Sequence, residues 1–224
     1  MTPPRPRALR LAHRGDWRGA PENSLAAMTA ALAIPACDGI EFDVRGSADG
    51  VPVLLHDATL ARVQGLDANV RDLTAGELAR HGVPTLAEVL ALVGAEPFLD
   101  VELKGEPVPA VVGVLQAARG PHLEHAVVSS FEAGTLAWLG EQRPAWPRWL
   151  NAMSLAAPWI ATARELGCAG ISAAWSGIDE PGLARAGAAG LEVAAWTIRD
   201  LETYRSLEAL GVIAICAEGD ALDG

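Results

Sequence analysis

Long apolar runs free of charge are missing from this 224-residue chain. No stretch reaches the ~20 residues that span a bilayer, because Pro, Asn or Arg interrupts the longest candidates, as between Leu150 and Ala163. The leading segment MTPPRPRALRLAHRG carries Arg5, Arg7 and Arg10 but no apolar core before His13. It therefore predicts no secretory signal, and the cytoplasm is the default compartment. Cysteine is scarce. Cys37, Cys168 and Cys216 are odd in number, far apart and set in apolar runs, which excludes a disulfide framework or a zinc site and predicts buried thiols. Positive charge is also short. Lys and Arg number 17 against 28 Asp and Glu, and a net charge of −11 repels both a nucleic-acid backbone and an anionic membrane surface, so neither partner is expected.

Three nucleotide and hydrolase signatures are missing as well. There is no Gly-x-Gly-x-x-Gly after a strand, no Gly-x-x-x-x-Gly-Lys-Ser/Thr and no Gly-x-Ser-x-Gly, which removes dinucleotide, P-loop and serine-hydrolase chemistry. What the chain does have is apolar content of 50% against 20% charged residues, with no low-complexity tract. That composition folds, and the length suits a single domain over residues 1–224, with MTPPRPR as a loose end.

Short apolar runs alternate with helical patterns along almost the whole chain, which predicts βα units and a parallel sheet. Eight strands are read at Leu9–Ala12, Gly39–Val44, Phe98–Leu103, Ala126–Ser130, Arg148–Ala152, Ala169–Ala173, Leu191–Thr197 and Val212–Ala217. Asn23 or Ser24 caps the helix running to Leu32, Thr85 and Glu88 form a capping box, and Asp200 caps the last long helix. Eight repeats fit a compact (β/α)8 TIM barrel, with a doubly wound sheet as the alternative. The stretch Gly50–Gly82, containing VPVLLHD, breaks the rhythm. It reads as a small insertion after the second strand, on the face where barrel active sites form.

In a strand, residues two apart share a face, which places Glu41 with Asp43 in GIEFDV and Glu102 with Lys104 in FLDVELK. Three carboxylates converging at strand ends call for a cation, and an all-oxygen set favours Mg²⁺ or Ca²⁺. The competing reading makes them surface charges or partners of nearby arginines. His13 and His56 each close an apolar run, either as structural histidines or as an acid/base pair beside the acidic cluster. His81, His122 and His125 fall in polar loops and receive no role. Arg14 could bind a phosphate through two donors or simply pair with Glu22. Of seven tryptophans most are expected to pack, while Trp196 in VAAWTI could wall a pocket or sit in the core. Metal, histidines, Arg and Lys together suit stabilising charge on a phosphorus centre.

In order, HRG (His13–Gly15), PENS (Pro21–Ser24), GIEFDV (Gly39–Val44), DGVPVLLHD (Asp49–Asp57), PTLAEVL (Pro84–Leu90), VELK (Val101–Lys104), VSSF (Val128–Phe131) and AWT (Ala195–Thr197) make the sequence resemble the glycerophosphodiester phosphodiesterases. The resemblance runs through most of the chain and implies a TIM barrel with a small insertion. It implies Glu41, Asp43 and Glu102 as ligands of one divalent cation and His13 and His56 as general acid and base. It likewise implies Arg14 and Lys104 on the phosphodiester, Glu22 and Asn23 orienting Arg14 and the first loop, and Phe131 and Trp196 lining the alcohol or glycerol side. The reaction implied is hydrolysis of a small-molecule glycerophosphodiester to glycerol 3-phosphate and an alcohol, with the glycerol 2-hydroxyl attacking first to give a cyclic phosphate. The pattern departs from the family after His56, where Arg62 precedes Val63 and Gln64, and at the last strand, where Ala217 and Glu218 replace Thr-Asp. Arg199 stands where Asn is frequent, adding positive charge near the rim that suits an anionic head group. Two other functions share the same residues. One is a lysophospholipase D-type phosphodiesterase, its lipid tail met by loops carrying Trp17, Trp146, Trp149, Trp159 and Trp175; the other is a non-catalytic barrel that binds a phosphate ligand. Oligomeric state is not written in the sequence.

Overall fold

The computed structural model describes residues 7–224. Its strands in chain order are β1 (Leu9–His13), β2 (Gly39–Gly46), β3 (Pro52–Leu54), β4 (Phe98–Leu103), β5 (Ala126–Ser130), β6 (Arg148–Ala152), β7 (Gly170–Ala174), β8 (Glu192–Ile198) and β9 (Ala214–Ala217). All except β3 run parallel to their neighbours, in the order β1-β9-β8-β7-β6-β5-β4-β2. Pairing of β1 with β2, His13 opposite Glu41, closes the ring. This is the expected (β/α)8 barrel, and closure excludes the doubly wound sheet with its two free edges. The last two strands start one and two residues inside the apolar runs that mark them. Leu191 and Val212 instead give their N–H groups to Ala186 O and Leu207 O, finishing the preceding helices.

The helices are α1 (Leu25–Leu32), α2 (Ala61–Gln64), α3 (Ala75–Ala79), α4 (Leu86–Val93), α5 (Ala110–Arg119), α6 (Ala133–Gln142), α7 (Ala157–Glu165), α8 (Glu180–Ala188), α9 (Leu201–Ala209) and α10 (Asp220–Asp223). Ser24 caps α1, Thr85 and Glu88 form the capping box of α4, and Asp200 caps α9, so in each of these helices a side chain that the sequence supplies accepts from an otherwise unpaired first-turn N–H. The main core fills the space between helices and barrel, with Phe42, Leu99, Leu115 and Ile171 fully buried. The insertion is built on β3, antiparallel to β2, and on α2 and α3. It has its own apolar nucleus of Val53, Leu55, Leu60, Val70, Leu78 and Val83.

Period-two alternation fills the barrel interior in layers. Leu11, Val127, Trp149, Ala194 and Ala214 pack as one cluster at the strand starts, where the Phe98 and Trp149 rings stack 6.1 Å apart. One alternation higher the same strand faces turn polar at His13, Asp100, Ser129 and Asn151, while Cys216 on β9 still packs against the apolar cluster below.

Four expectations change. Cys37 is only half-buried, donating to Gly39 O at 3.0 Å, whereas Cys168 and Cys216 are buried. Trp146 and Trp149 are buried and cannot line an approach from solvent. Trp149 begins a strand and so belongs to the floor, and Trp146 gives its indole N–H to Pro121 O. Of the segment read as a loose end, residues 1–6 lie outside the described residues, and Arg7 is tied by two 2.6 Å hydrogen bonds to Asp38. Finally, the Asn23 side chain bonds Asp43, while its backbone N–H is the group that reaches Arg14. No helix among the described residues is long and apolar enough to cross a membrane.

Candidate active site

The turn after β1 sets the first side chains. Arg14 and Asn23 hold left-handed backbone, φ 59° and 54°, an uncommon conformation for a residue with the bulk of Arg. Gly15 follows at φ 81°, where an added Cβ would come within 2.7 Å of the Ala27 backbone, which explains the glycine in HRG. The Arg14 N–H lies 2.8 Å from Glu41 O and 3.2 Å from Glu41 Oε2, tying this turn to β2. Arg14 Nε lies 3.2 Å from Asp43, and its NH1 donates to Glu22 at 2.9 Å. Pairing with Glu22 and a place at the mouth are therefore both realised. Asn23 acts elsewhere: its amide donates to Asp43 Oδ2 at 2.9 Å, its carbonyl accepts from the Asp43 N–H at 3.2 Å, and only its backbone N–H reaches Arg14 O.

Glu41, Asp43 and Glu102 are all buried, and each offers an oxygen within 4.8 Å of the others. Register explains the convergence, because Asp43 pairs with Glu102 and Glu41 with Asp100 across β2 and β4. Burial, and then the charges of Asp43, Glu102 and Asp100, push the Glu41 carboxyl well above its ordinary range. Burial and Asp43 carry Glu102 up to about 7. Asp43 goes the other way, because Lys104 and Arg14 outweigh the burial that would raise it. Lys104 Nζ sits 3.2 Å from Asp43 and 2.5 Å from Glu102. Among the described residues no lysine or arginine side chain pairs with Glu41, so the trio there remains short of positive charge. Hard oxygen donors crowded beyond what their own cations neutralise fit a divalent ion.

His56 ends the extended VPVLL segment of the insertion. Its Nδ1 lies 2.7 Å from Asp57, which accepts from Arg62 at 2.6 Å, and Arg62 reaches Glu22 through two further bonds. Burial, helped by the charges of Arg14 and Lys104, holds His56 below the usual imidazole value against the pull of Asp43 and Asp57. On the opposite wall Phe131 and Trp196 meet edge to face, 5.6 Å between centroids, and Lys104 Nζ lies 5.4 Å from the Phe131 ring. The Trp196 indole donates to Ser172 O, which fixes its plane.

One cavity of about 410 Å³ opens at the C-terminal ends of the strands and gathers nearly every residue singled out in the sequence. His13, Arg14, Glu22, Glu41, His56, Glu102, Lys104, Phe131 and Trp196 line it, with Arg199 at the rim. Asp43 and Asn23 stand behind this lining, buried. Sequence reading missed Asp100, Asn151 and Ser172, which extend the cavity downward as a polar column. Asp100 left a readable signal, since Asp100, Glu102 and Lys104 form an alternating charged face in LDVELK. Its carboxyl accepts from Ser129 at 2.6 Å, and burial carries it up to about 7.

Fold and site together define the class: a closed (β/α)8 barrel with acidic, imidazole and cationic groups around one mouth. The model of the glycerophosphoryl diester phosphodiesterase family matches residues 13–218, and the chain belongs to that family. A glycerophosphodiester phosphodiesterase of Caldanaerobacter subterraneus is 38% identical over 112 residues, 44% of this chain and 46% of that one. Glycerophosphodiester phosphodiesterase 1 of Bos taurus is 42% identical over 103 residues, 39% of this chain and 31% of its own length. The chain thus matches half or less of these curated relatives. A phosphodiesterase of Oleispira antarctica, solved in complex with the product sn-glycerol-3-phosphate, superposes with a TM-score of 0.83 at 28% identity, covering 94% of this chain and 93% of that one.

Proposed function

We propose that this protein hydrolyses glycerophosphodiesters to glycerol 3-phosphate and an alcohol, using one divalent cation, Mg²⁺ or Ca²⁺, held by Glu41, Asp43 and Glu102. The observation that carries the reading is the meeting of that acidic trio with two histidines, Arg14 and Lys104 around one cavity, in a chain of this family. The product complex of the Oleispira protein supports the same substrate class. A bound cation would polarise the phosphoryl oxygens and offset the crowding of the carboxylates. Arg14 and Lys104 grip the phosphodiester and meet the charge that grows on its oxygens. His13 and His56 move the protons, one taking that of the attacking hydroxyl and the other giving one to the departing alcohol. His56, kept low by burial, is neutral at pH 7, the form a proton acceptor requires. Phe131 and Trp196 pack against the carbon skeleton and exclude water on that side. The three free cysteines suit a reducing compartment, in keeping with a cytoplasmic enzyme.

One observation favours a second substrate. Trp17, Phe131, Met153 and Trp175 are exposed and follow the C-terminal ends of β1, β5, β6 and β7, so part of the rim on the mouth's side of the barrel is apolar. A lysophospholipid, which keeps one acyl chain, would lay that chain on such a rim. The deciding experiment measures glycerol 3-phosphate from glycerophosphocholine and glycerophosphoethanolamine, and choline from lysophosphatidylcholine, with Mg²⁺, with Ca²⁺ and with chelator. Metal-dependent glycerol 3-phosphate release is expected. Choline release confined to lysophosphatidylcholine would transfer the assignment to the lipid substrate, and folded protein inert toward all three would overturn both readings.

A further inference from the structure

We propose that Glu218 and Arg199 form a positioning pair that fixes the His13 ring for proton transfer. The proposal rests on the reading of His13 as a proton-transfer residue. Glu218 follows β9, and β9 is the ring neighbour of β1, so barrel closure brings together residues 205 positions apart. Glu218 Oε1 lies 2.5 Å from His13 Nδ1, and Glu218 Oε2 lies 2.8 Å from Arg199 Nε. The Glu218 N–H is anchored on Ile198 O at 2.8 Å, and the residue is buried, so the carboxylate has little freedom to turn away.

Chemistry then settles which ring nitrogen works. An ionised carboxylate only accepts hydrogen bonds, so Nδ1 carries the proton of the neutral ring and Nε2 carries the lone pair. Nε2 is the atom turned to the metal-binding trio, 3.8 Å from Glu41 Oε2. Burial opposes ionisation of Glu218, but the His13 hydrogen bond and the charges of His13, Arg199 and Arg14 outweigh it and hold the carboxyl low. Arg199 is largely exposed and occupies the oxygen that His13 does not use, which directs the other oxygen at Nδ1. The same three-part device recurs across the cavity, where Asp57 holds His56 Nδ1 and Arg62 holds Asp57. Two imidazoles in one site, each backed at Nδ1 by a carboxylate that an arginine pins, indicate a shared requirement: Nε2 free and fixed.

Nitrogen-15 NMR of histidine-labelled protein, at a pH where the ring is neutral, should show His13 protonated at Nδ1. Glu218→Gln should lose that signature and reduce kcat about 10- to 100-fold, the range typical for removing a group that orients a functional imidazole, with KM near its wild-type value. Glu218→Asp, which keeps a carboxylate, should restore part of the loss, and Arg199→Gln should produce a smaller loss of the same kind. Wild-type His13 protonated at Nε2 would overturn the proposal without any variant having to fold. Dead His13→Ala beside Glu218→Gln of wild-type kcat would overturn the positioning role alone. Active His13→Ala would overturn the reading of the site and this role with it.

Discussion

The two ends of the barrel interior are built from the same strands and do opposite things. On β4, the inward face reads Phe98, Asp100 and Glu102, and Lys104 follows; on β6 it reads Trp149 and Asn151. At the floor, Trp149, Leu11 and Val127 remove apolar surface from water, worth ~25 cal/mol per Å² buried. At the mouth, three carboxylates lie within 4.8 Å of one another and burial makes their charges costly. One end stabilises the fold, and under the proposed function the other opposes it until the cation and substrate bind. A barrel can hold such a strained layer because each of the eight ring strands is hydrogen-bonded on both edges and the floor is packed beneath it.

The largest break in this comparison should come from the mouth. Glu41→Gln removes a proposed ligand of the cation and should reduce kcat/KM by about 10³-fold or more, several kcal/mol of transition-state stabilisation. Because it puts a neutral amide where burial and the neighbouring carboxylates oppose ionisation, the metal-free variant should melt no lower than the wild type in calorimetry. The floor should behave inversely. Trp149→Ala should cost about 3–5 kcal/mol of stability by urea titration, yet turnover assayed well below the midpoint should remain close to wild type. Adding Mg²⁺ or Ca²⁺ at about 100 times its Kd should stabilise the wild type by about 2.7 kcal/mol, and Glu41→Gln should lose that gain.

Smaller effects sharpen the picture at the insertion. Arg62 and His56 overcome the burial that would raise Asp57 and bring its carboxyl down to about 2. A carboxyl lowered on folding binds fewer protons folded than unfolded, so its contribution is present above its unfolded pKa of 3.8 and is lost as pH falls toward 2. For a pair this solvated the contribution is about 1 kcal/mol, and Arg62→Ala should flatten that part of the acid-unfolding curve. Phe131→Ala, which removes one wall and its contact with Trp196, should raise KM by less than about tenfold, in line with the ~0.5–1.5 kcal/mol of an aromatic pair.

Strands and local site groupings were legible because both depend on short-range pattern. Val101 and Leu103 alternate with Asp100, Glu102 and Lys104, and that period alone places the charges on one face. The contact of Glu218 with His13 was not legible, because it depends on how the ring closes over nearly the full chain; only the unusual Ala217-Glu218 pair drew notice. Asn23 lies in the expected loop with its backbone N–H on Arg14 O, but its side-chain partner was not legible: a group that can both donate and accept matches the carboxylate and backbone N–H of Asp43. The two buried tryptophans were misplaced because aromatic content says nothing of depth. The place of Trp149 at the start of its strand, the floor end in a parallel barrel, was the signal available.

Turnover and thermal unfolding of metal-free and metal-loaded Glu41→Gln, measured beside the wild type, test the opposition of mouth and floor most directly. Lost activity, an unchanged or higher melting temperature without metal and no rise on adding it are the results predicted. Retained metal-dependent turnover, or a metal-free variant that melts well below the wild type, would contradict a mouth built for catalysis at the expense of the fold.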